Sequence, residues 1–188
     1  MMDLNDKRKV EKYIPIIKGV IERTLSLMDD YLEYTKVKIN KDIVDIYMLI
    51  SEVIESLELF FKDNNIDLKI NIPDSELFLN LDYNRIKQVL VNILKNSSEA
   101  IDINKEKMII KIETRIIKKY FNIIIIDNGI GMDLDTLSNV TDLFFTTKSN
   151  GTGLGTSLSK EIVELHGGKI KYFSELNKGT KVVISLPL

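Results

Sequence analysis

Four consecutive isoleucines, Ile123 to Ile126, run directly into Asp127-Asn128-Gly129-Ile130-Gly131. So apolar and β-branched a run reads as a buried strand. A carboxylate at the end of a buried strand is costly unless it has a partner. Around this strand the pattern alternates between strands and helices. Ile39 to Ile46 reads as a short strand and Met48 to Phe61 as a helix with Ile50, Ile54, Leu57 and Phe61 inward. Ile66 to Ile72 and Leu77 to Leu81 are strands set off by the Asp63-Asn64-Asn65 and Pro73-Asp74 turns. Asp82 caps the next helix, which carries Ile86, Val89, Leu90, Ile93 and Leu94 on one face and ends near Ile101. Lys107 to Lys118 and Phe121 to Asp127 are paired strands, 129–155 has little period, and Leu158 to Leu165 is a helix. Lys169 to Ser174 and Lys181 to Leu186 are the last strands. The expected class is α+β: a mixed sheet of six or seven strands with three helices on one face.

Ahead of this lies a long amphipathic helix over 7–38, with Ile14, Ile17, Ile21, Thr24, Met28, Tyr31 and Thr35 at spacings of three and four. Pro15 either starts its regular part or kinks it. So wide an apolar stripe needs a cover, from this chain, a second copy or an absent segment. At 188 residues the chain can bury roughly two-thirds of its unfolded surface, enough for one good core. Having no Cys excludes disulfides, thiolate zinc sites and cysteine nucleophiles, and the single His166 excludes His-rich metal sites. A net charge of −2 implies no general affinity for nucleic acid. The apolar runs are far too short to span a bilayer and Met1-Met2 opens no signal peptide, so a soluble cytoplasmic protein without membrane contact is expected.

Three clusters carry chemistry. Asn92 and Asn96 lie four apart on the Asp82-capped helix, so both amides project from one side, away from Ile93. Asn is a poor helix former, and two on one face are either plain surface residues or a site where an amide oxygen ligates Mg²⁺. Asp127 can accept the exocyclic amine of adenine, whereas guanine presents an acceptor there. Gly129 and Gly131 would let a flat ring approach the backbone, and the alternative is an ordinary Asn-Gly turn. Gly151-Thr152-Gly153-Leu154-Gly155-Thr156 opens the last helix and offers N–H groups to phosphate, or is flexible-loop glycine. Lys148, just ahead, could reach the same phosphate or remain solvated.

The order and content of these clusters resemble the ATP-binding catalytic domain of sensor histidine kinases, within the wider Bergerat-fold (GHKL) ATPase family. Asn92–Ala100 looks like that family's N box, Asp127-x-Gly129-x-Gly131 its first glycine box, Phe144-Phe145-Thr146-Thr147-Lys148 its F box, and Gly151-x-Gly153-x-Gly155 its second glycine box. The ending, Gly179-Thr180 followed by Leu186-Pro187, is similar to the close of many such kinases, and the motif wording is most like sporulation-type kinases of low-GC Gram-positive bacteria. The resemblance implies a two-layer Bergerat sandwich over 39–188, with 1–38 as the second helix of a dimerisation hairpin. It implies ATP and Mg²⁺ as ligands, the metal on Asn96, Asn92 supporting it, and Asp127 reading adenine. Gly129, Gly131, Thr147, Lys148, Gly151, Thr152, Gly153, Leu154 and Gly155 would complete the nucleotide site beneath a mobile lid.

Three features qualify the resemblance. Hydrolytic relatives carry a Glu one turn before the metal Asn; here that place is Asn92, and a neutral amide cannot be a general base. Glu99 lies on the other side, three residues after Asn96. Thr141 stands where the F box commonly has an earlier Phe. The acceptor His of a histidine kinase, on a first hairpin helix, has no counterpart, and His166 before Gly167-Gly168 fits a structural role. The expected activity is therefore transfer of phosphate from Mg-ATP to a His on a helix outside this chain, which by itself would not autophosphorylate. The implied partners are the acceptor-His domain, a response regulator, and a second copy through 7–38. An anti-sigma-type serine kinase and a non-catalytic module forming mixed dimers with full-length kinases are the alternatives.

Overall fold

The computed structural model describes residues 4–188 except 36, 74, 101, 103, 104, 106, 149 and 150; side chains of 4–10, 23, 26, 29, 30, 33 and 34 are also outside the description. The expected helix end at Ile101, the Asp74 half of the Pro73-Asp74 turn, and residues 1–3 and 36 of the expected hairpin helix lie outside the described residues. The chain opens with helix α1 (Leu4–Thr35), which contains Pro15. Its stripe is open: Ile14, Ile17, Val20, Ile21, Leu25 and Met28 are each more than half exposed.

Strand β1 (Asp42–Asp45) pairs antiparallel with β3 (Phe78–Leu81) as a separate two-stranded ribbon. The strand expected over 39–46 is shortened to these residues because α2 (Ile46–Asp63) starts early. Asp45 caps it, accepting from Tyr47 N at 3.1 Å and Leu77 N at 3.3 Å. The main sheet has the order β2-β4-β5-β7-β6, from β2 (Ile66–Asn71), β4 (Met108–Ile117), β5 (Tyr120–Asp127), β6 (Lys169–Glu175) and β7 (Gly179–Pro187). Only β2 and β4 run parallel. A parallel pair needs a crossover, and α3 (Tyr83–Glu99) supplies it.

Helix α3 is packed between α2 and α5 (Gly155–Leu165) on one face of the sheet. Its buried residues are the predicted Ile86, Val89, Leu90, Ile93 and Leu94, joined by Ser97 and Ser98. Ile110 and Ile112 of β4, Phe121, Ile123 and Ile125 of β5, and Val182, Ile184 and Leu186 of β7 face them. Each such fully buried aliphatic side chain contributes roughly 1.5–3 kcal/mol. A short helix, α4 (Leu134–Asn139), also forms in the stretch that shows little period, capped by Asp133 accepting from Thr136 N at 2.7 Å.

His166 ties the two helices of the site together. Its Nε2 accepts from the backbone N–H of Asp82, the α3 cap, at 2.9 Å, and its Nδ1 lies 2.7 Å from Ile162 O of α5. Only a neutral ring protonated at Nδ1 satisfies both. The residue is 2 % exposed, and burial holds its pKa below the ordinary imidazole value. Asp82 is itself buried, which opposes ionisation. The N–H groups of Asn40 and Arg85, with the charge of Arg85, outweigh this and keep its pKa low.

The loop after β5 is fastened to the β6–β7 turn. Asn177 N donates to Ile130 O at 2.6 Å, and Gly131 adopts a φ of +66° with its α-carbon against the carbonyl of Glu175. A side chain at Gly131 would be strained and would collide with backbone.

Because folded His166 resists protonation, stability is expected to be full above the ordinary value of 6.5 and to fall as pH drops through it. Thermal melts at about pH 7.5 and about pH 5.5 should show this fall, and His166→Gln should flatten it. An equal pH dependence in the variant would contradict the assignment. Gly131→Ala is expected to cost about 2–3 kcal/mol, lowering Tm by roughly 5–10 °C. Gly151→Ala meets mainly the rotatable Thr146 hydroxyl and should cost under about 1 kcal/mol.

Candidate functional site

A cavity of about 950 Å³ opens between α3, the end of β5, the β6–β7 hairpin and the segment leading into α5. That is the size range of small-molecule sites. Its two ends differ in chemistry.

At one end lies Asp127, 4 % exposed, among Ile130, Met132, Tyr172, Thr180 and Val182. Its Oδ1 accepts from Gly129 N at 2.9 Å and Thr180 N at 3.1 Å. Burial pushes its pKa above the usual carboxylate range; those two N–H groups, the Ser97 hydroxyl and the Lys105 charge oppose the rise. Asp127 can thus present an acceptor inside an apolar-walled slot. On the same cavity wall, the buried Tyr172 hydroxyl has no hydrogen-bond partner among the described residues, and burial pushes its pKa up as well.

At the other end, Asn92 Nδ2 donates to Ser159 Oγ at 2.9 Å, and Ser159 Oγ donates to Gly155 O at 2.8 Å. The two amides are 3.4 Å apart, Asn96 Nδ2 toward Asn92 Oδ1. The Lys148 ammonium donates to Asn96 Oδ1 at 2.8 Å and pairs with the Glu99 carboxylate. Asn96 therefore turns an oxygen toward a positive charge, the behaviour a hard cation requires. Among the described residues, no group of three or more His, Asp or Glu could hold a metal. Helix α5 begins here at Leu154 without a side-chain cap, so its first N–H groups and positive end face the cavity at Gly155 and Thr156.

Of the residues singled out in the sequence, Asn92, Asn96, Asp127, Gly131, Thr147, Lys148, Gly151, Thr152, Gly153 and Gly155 line this one cavity. Gly129 and Leu154 do not. Leu154 is 1 % exposed, with its side chain in the interior, and Gly129 is pressed against the carbonyl of Ala100. The glycines also serve a purpose other than the expected one. A Cβ on Gly155 would meet Asn92 Oδ1 at 2.6 Å, and one on Gly153, at φ +71°, would strike the Phe144 backbone. Their missing side chains make room for the protein's own chain.

Sequence reasoning missed Tyr172 and Met132, which reach the cavity through strand register and loop path, while Phe145 of the F-box stretch also lines it. Nothing in the spacing of the first two signals it. Glu99, set aside in the sequence as lying on the other side of Asn96, also lines the cavity, and its spacing of three residues, about one helical turn, is the signal that points to it. The segment over the cavity is closed on itself by Phe144 N donating to Gly153 O at 3.1 Å, with Phe144 at a φ of +65°. The Phe144 ring stacks on Tyr31 of α1, ring centroids 6.3 Å apart.

Sensor protein DegM of Bacillus sp. strain B21-2 is 31% identical over 185 residues, covering 98% of this chain and 48% of DegM. Sensor protein kinase WalK of Staphylococcus epidermidis is 30% identical over 193 residues, covering 97% of this chain and 31% of WalK. The chain thus spans less than half the length of either relative. The solved catalytic domain of histidine kinase ThkA, in a nucleotide-free form, is 31% identical with a TM-score of 0.68, covering 79% of this chain and 95% of that one. ThkA in complex with response regulator protein TrrA is 28% identical with a TM-score of 0.74, covering 95% of this chain and 51% of that one. The family model for the histidine kinase-, DNA gyrase B-, and HSP90-like ATPases matches residues 81–188, which run from the last residue before the α3 cap through every wall of the cavity. By that match and that architecture, the chain belongs to the histidine kinase-, DNA gyrase B- and HSP90-like ATPase family.

Proposed function

We propose that the chain is the ATP-binding catalytic part of a sensor histidine kinase, holding Mg-ATP for transfer of its terminal phosphoryl group to a His outside this sequence. The observation that carries this reading is one cavity with an acceptor-only carboxylate at one end and Asn96, Lys148 and an uncapped helix start at the other. Residues 39–188 form the catalytic domain, and 1–38 are what remains of a dimerisation hairpin, with α1 as its second helix. The open apolar stripe of α1 supports a homodimer through that helix.

Asp127 accepts the adenine amine and disfavours guanine, which presents an acceptor to it. Lys148, Thr147, Thr152 and the N–H groups of Gly151, Gly153 and Gly155 take the triphosphate. Asn96 Oδ1 would hold Mg²⁺, which would supply charge neutralisation of the phosphates. Lys148 must leave Asn96 for this, and its ammonium is then free for phosphate. Asn92, a neutral amide committed to Ser159, offers no base to activate water, which favours transfer over hydrolysis. His166, buried with both ring nitrogens engaged, is not the acceptor. A response regulator is the downstream partner, which puts this part of the kinase in the cytoplasm. Among the described residues, no helix is long and apolar enough to cross a membrane.

Radiolabelled ATP with a purified acceptor-His helix domain tests the reading: acid-labile label on that domain is expected, and steady phosphate release without any acceptor would overturn it. Asn96→Ala should abolish the tightening of ATP binding by Mg²⁺ in calorimetry, and an undiminished Mg²⁺ effect would refute the metal role. Asp127→Asn should relax the preference for ATP over GTP by at least roughly tenfold, the weight of a charge-assisted hydrogen bond. Since burial disfavours the charged form, the same change should raise Tm by about 2–5 °C. Retained discrimination would count against the base-reading role.

A further inference from the structure

Lys105 lies in a charged connection, Asp102 to Lys107, that has no pattern to distinguish it. Its ammonium nevertheless sits where the two loops around Asp127 meet. It donates to the backbone carbonyls of Asn128, of Gly129 at 3.2 Å and of Asn177 at 3.3 Å, with the Asp102 carboxylate 3.8 Å away. An ammonium has three donors, so three carbonyls occupy it fully. Asn128 and Gly129 follow β5, and Asn177 belongs to the β6–β7 turn. Gly129 in the first of these loops and Thr180, in β7 just after the second, donate their N–H groups to Asp127 Oδ1.

We propose that Lys105 is a positioning residue for purine recognition: it fastens the loop after β5 to the β6–β7 turn and keeps the Asp127 carboxylate ionised and aimed at the base amine. This deepens, and rests on, the reading of the cavity as an ATP site. Among the described residues, the groups acting on Asp127 are the N–H groups of Gly129 and Thr180, the Ser97 hydroxyl of α3 and, more weakly, the charge of Lys105. Asp102 stands behind Lys105 and tempers its charge. Removing the ammonium leaves three carbonyls without their donor and a buried carboxylate without its counter-charge. Asp127 then takes up a proton at higher pH, and a protonated carboxyl is a poorer acceptor for the adenine amine.

The test is ATP affinity as a function of pH for the wild type, Lys105→Gln, Lys105→Met and Lys105→Arg, with a thermal melt of each. The triphosphate's own titration is common to all four chains and cancels in the comparison. Lys105→Gln and Lys105→Met are expected to weaken ATP roughly fivefold near neutral pH, the weight of one net hydrogen bond. Both should displace the acid-side loss of affinity to higher pH, and Lys105→Arg should restore both properties. Gln keeps donors for the carbonyls without charge, so it remains informative should the Met variant fail to fold. An acid-side midpoint that stays in place in the uncharged variants overturns the proposal, even where affinity falls. If the wild type binds no ATP, the ATP-site reading itself fails before any variant is compared, and this proposal falls with it.

Discussion

The candidate site depends on a carboxylate kept out of water at the end of an isoleucine strand. Burial raises the Asp127 pKa, and the surrounding donors and charge oppose that rise. Two backbone N–H groups reach Oδ1, one from Gly129 in the loop just after β5 and one from Thr180, which follows the β6–β7 turn. Bringing those loops together demands the left-handed backbone of Gly131 and Gly179, at φ +66° and +102°, each pressed on another carbonyl. Lys105 closes the junction from outside. The sheet pays for this strained corner with the packing of Ile123, Ile125, Val182 and Ile184 beneath the helices.

The opposite end of the cavity is organised by charge rather than burial. Asn92, Asn96 and Glu99 follow one another around the accessible side of α3 while Ile93 and Leu94 bury the other. Lys148 arrives from the covering segment and satisfies Asn96 and Glu99 together. Both ion-pair partners are about half exposed, so the pair is weak and readily exchanged. A rigid anchor at the base end and an exchangeable cation at the other suit a site that must hold one part of a ligand fixed and release another.

Helix α1 touches this arrangement where Tyr31 stacks on Phe144. Phe144 sits in a backbone region unfavourable for a non-glycine residue and is bonded to Gly153. The segment over the cavity therefore has contacts on both sides, to the phosphate-facing glycines and to the N-terminal helix.

Periodicity in the sequence determined the helices, the strands and the inward faces, because apolar spacing directly encodes which side of an element meets the core: Ile86, Val89, Leu90, Ile93 and Leu94 are buried as their spacing requires. Residue chemistry singled out Asn96, Asp127 and the glycine run one by one, since helix-poor amides and a strand-end carboxylate are costly without a purpose, and only the family resemblance joined them into one constellation. Only the tertiary structure decided that β2 lies beside β4, that Tyr172 and Met132 reach the cavity, that the glycines yield to the chain's own carbonyls, and that Lys105 joins two loops. Those outcomes depend on register and on contacts between residues far apart in the chain, and local pattern carries no record of either.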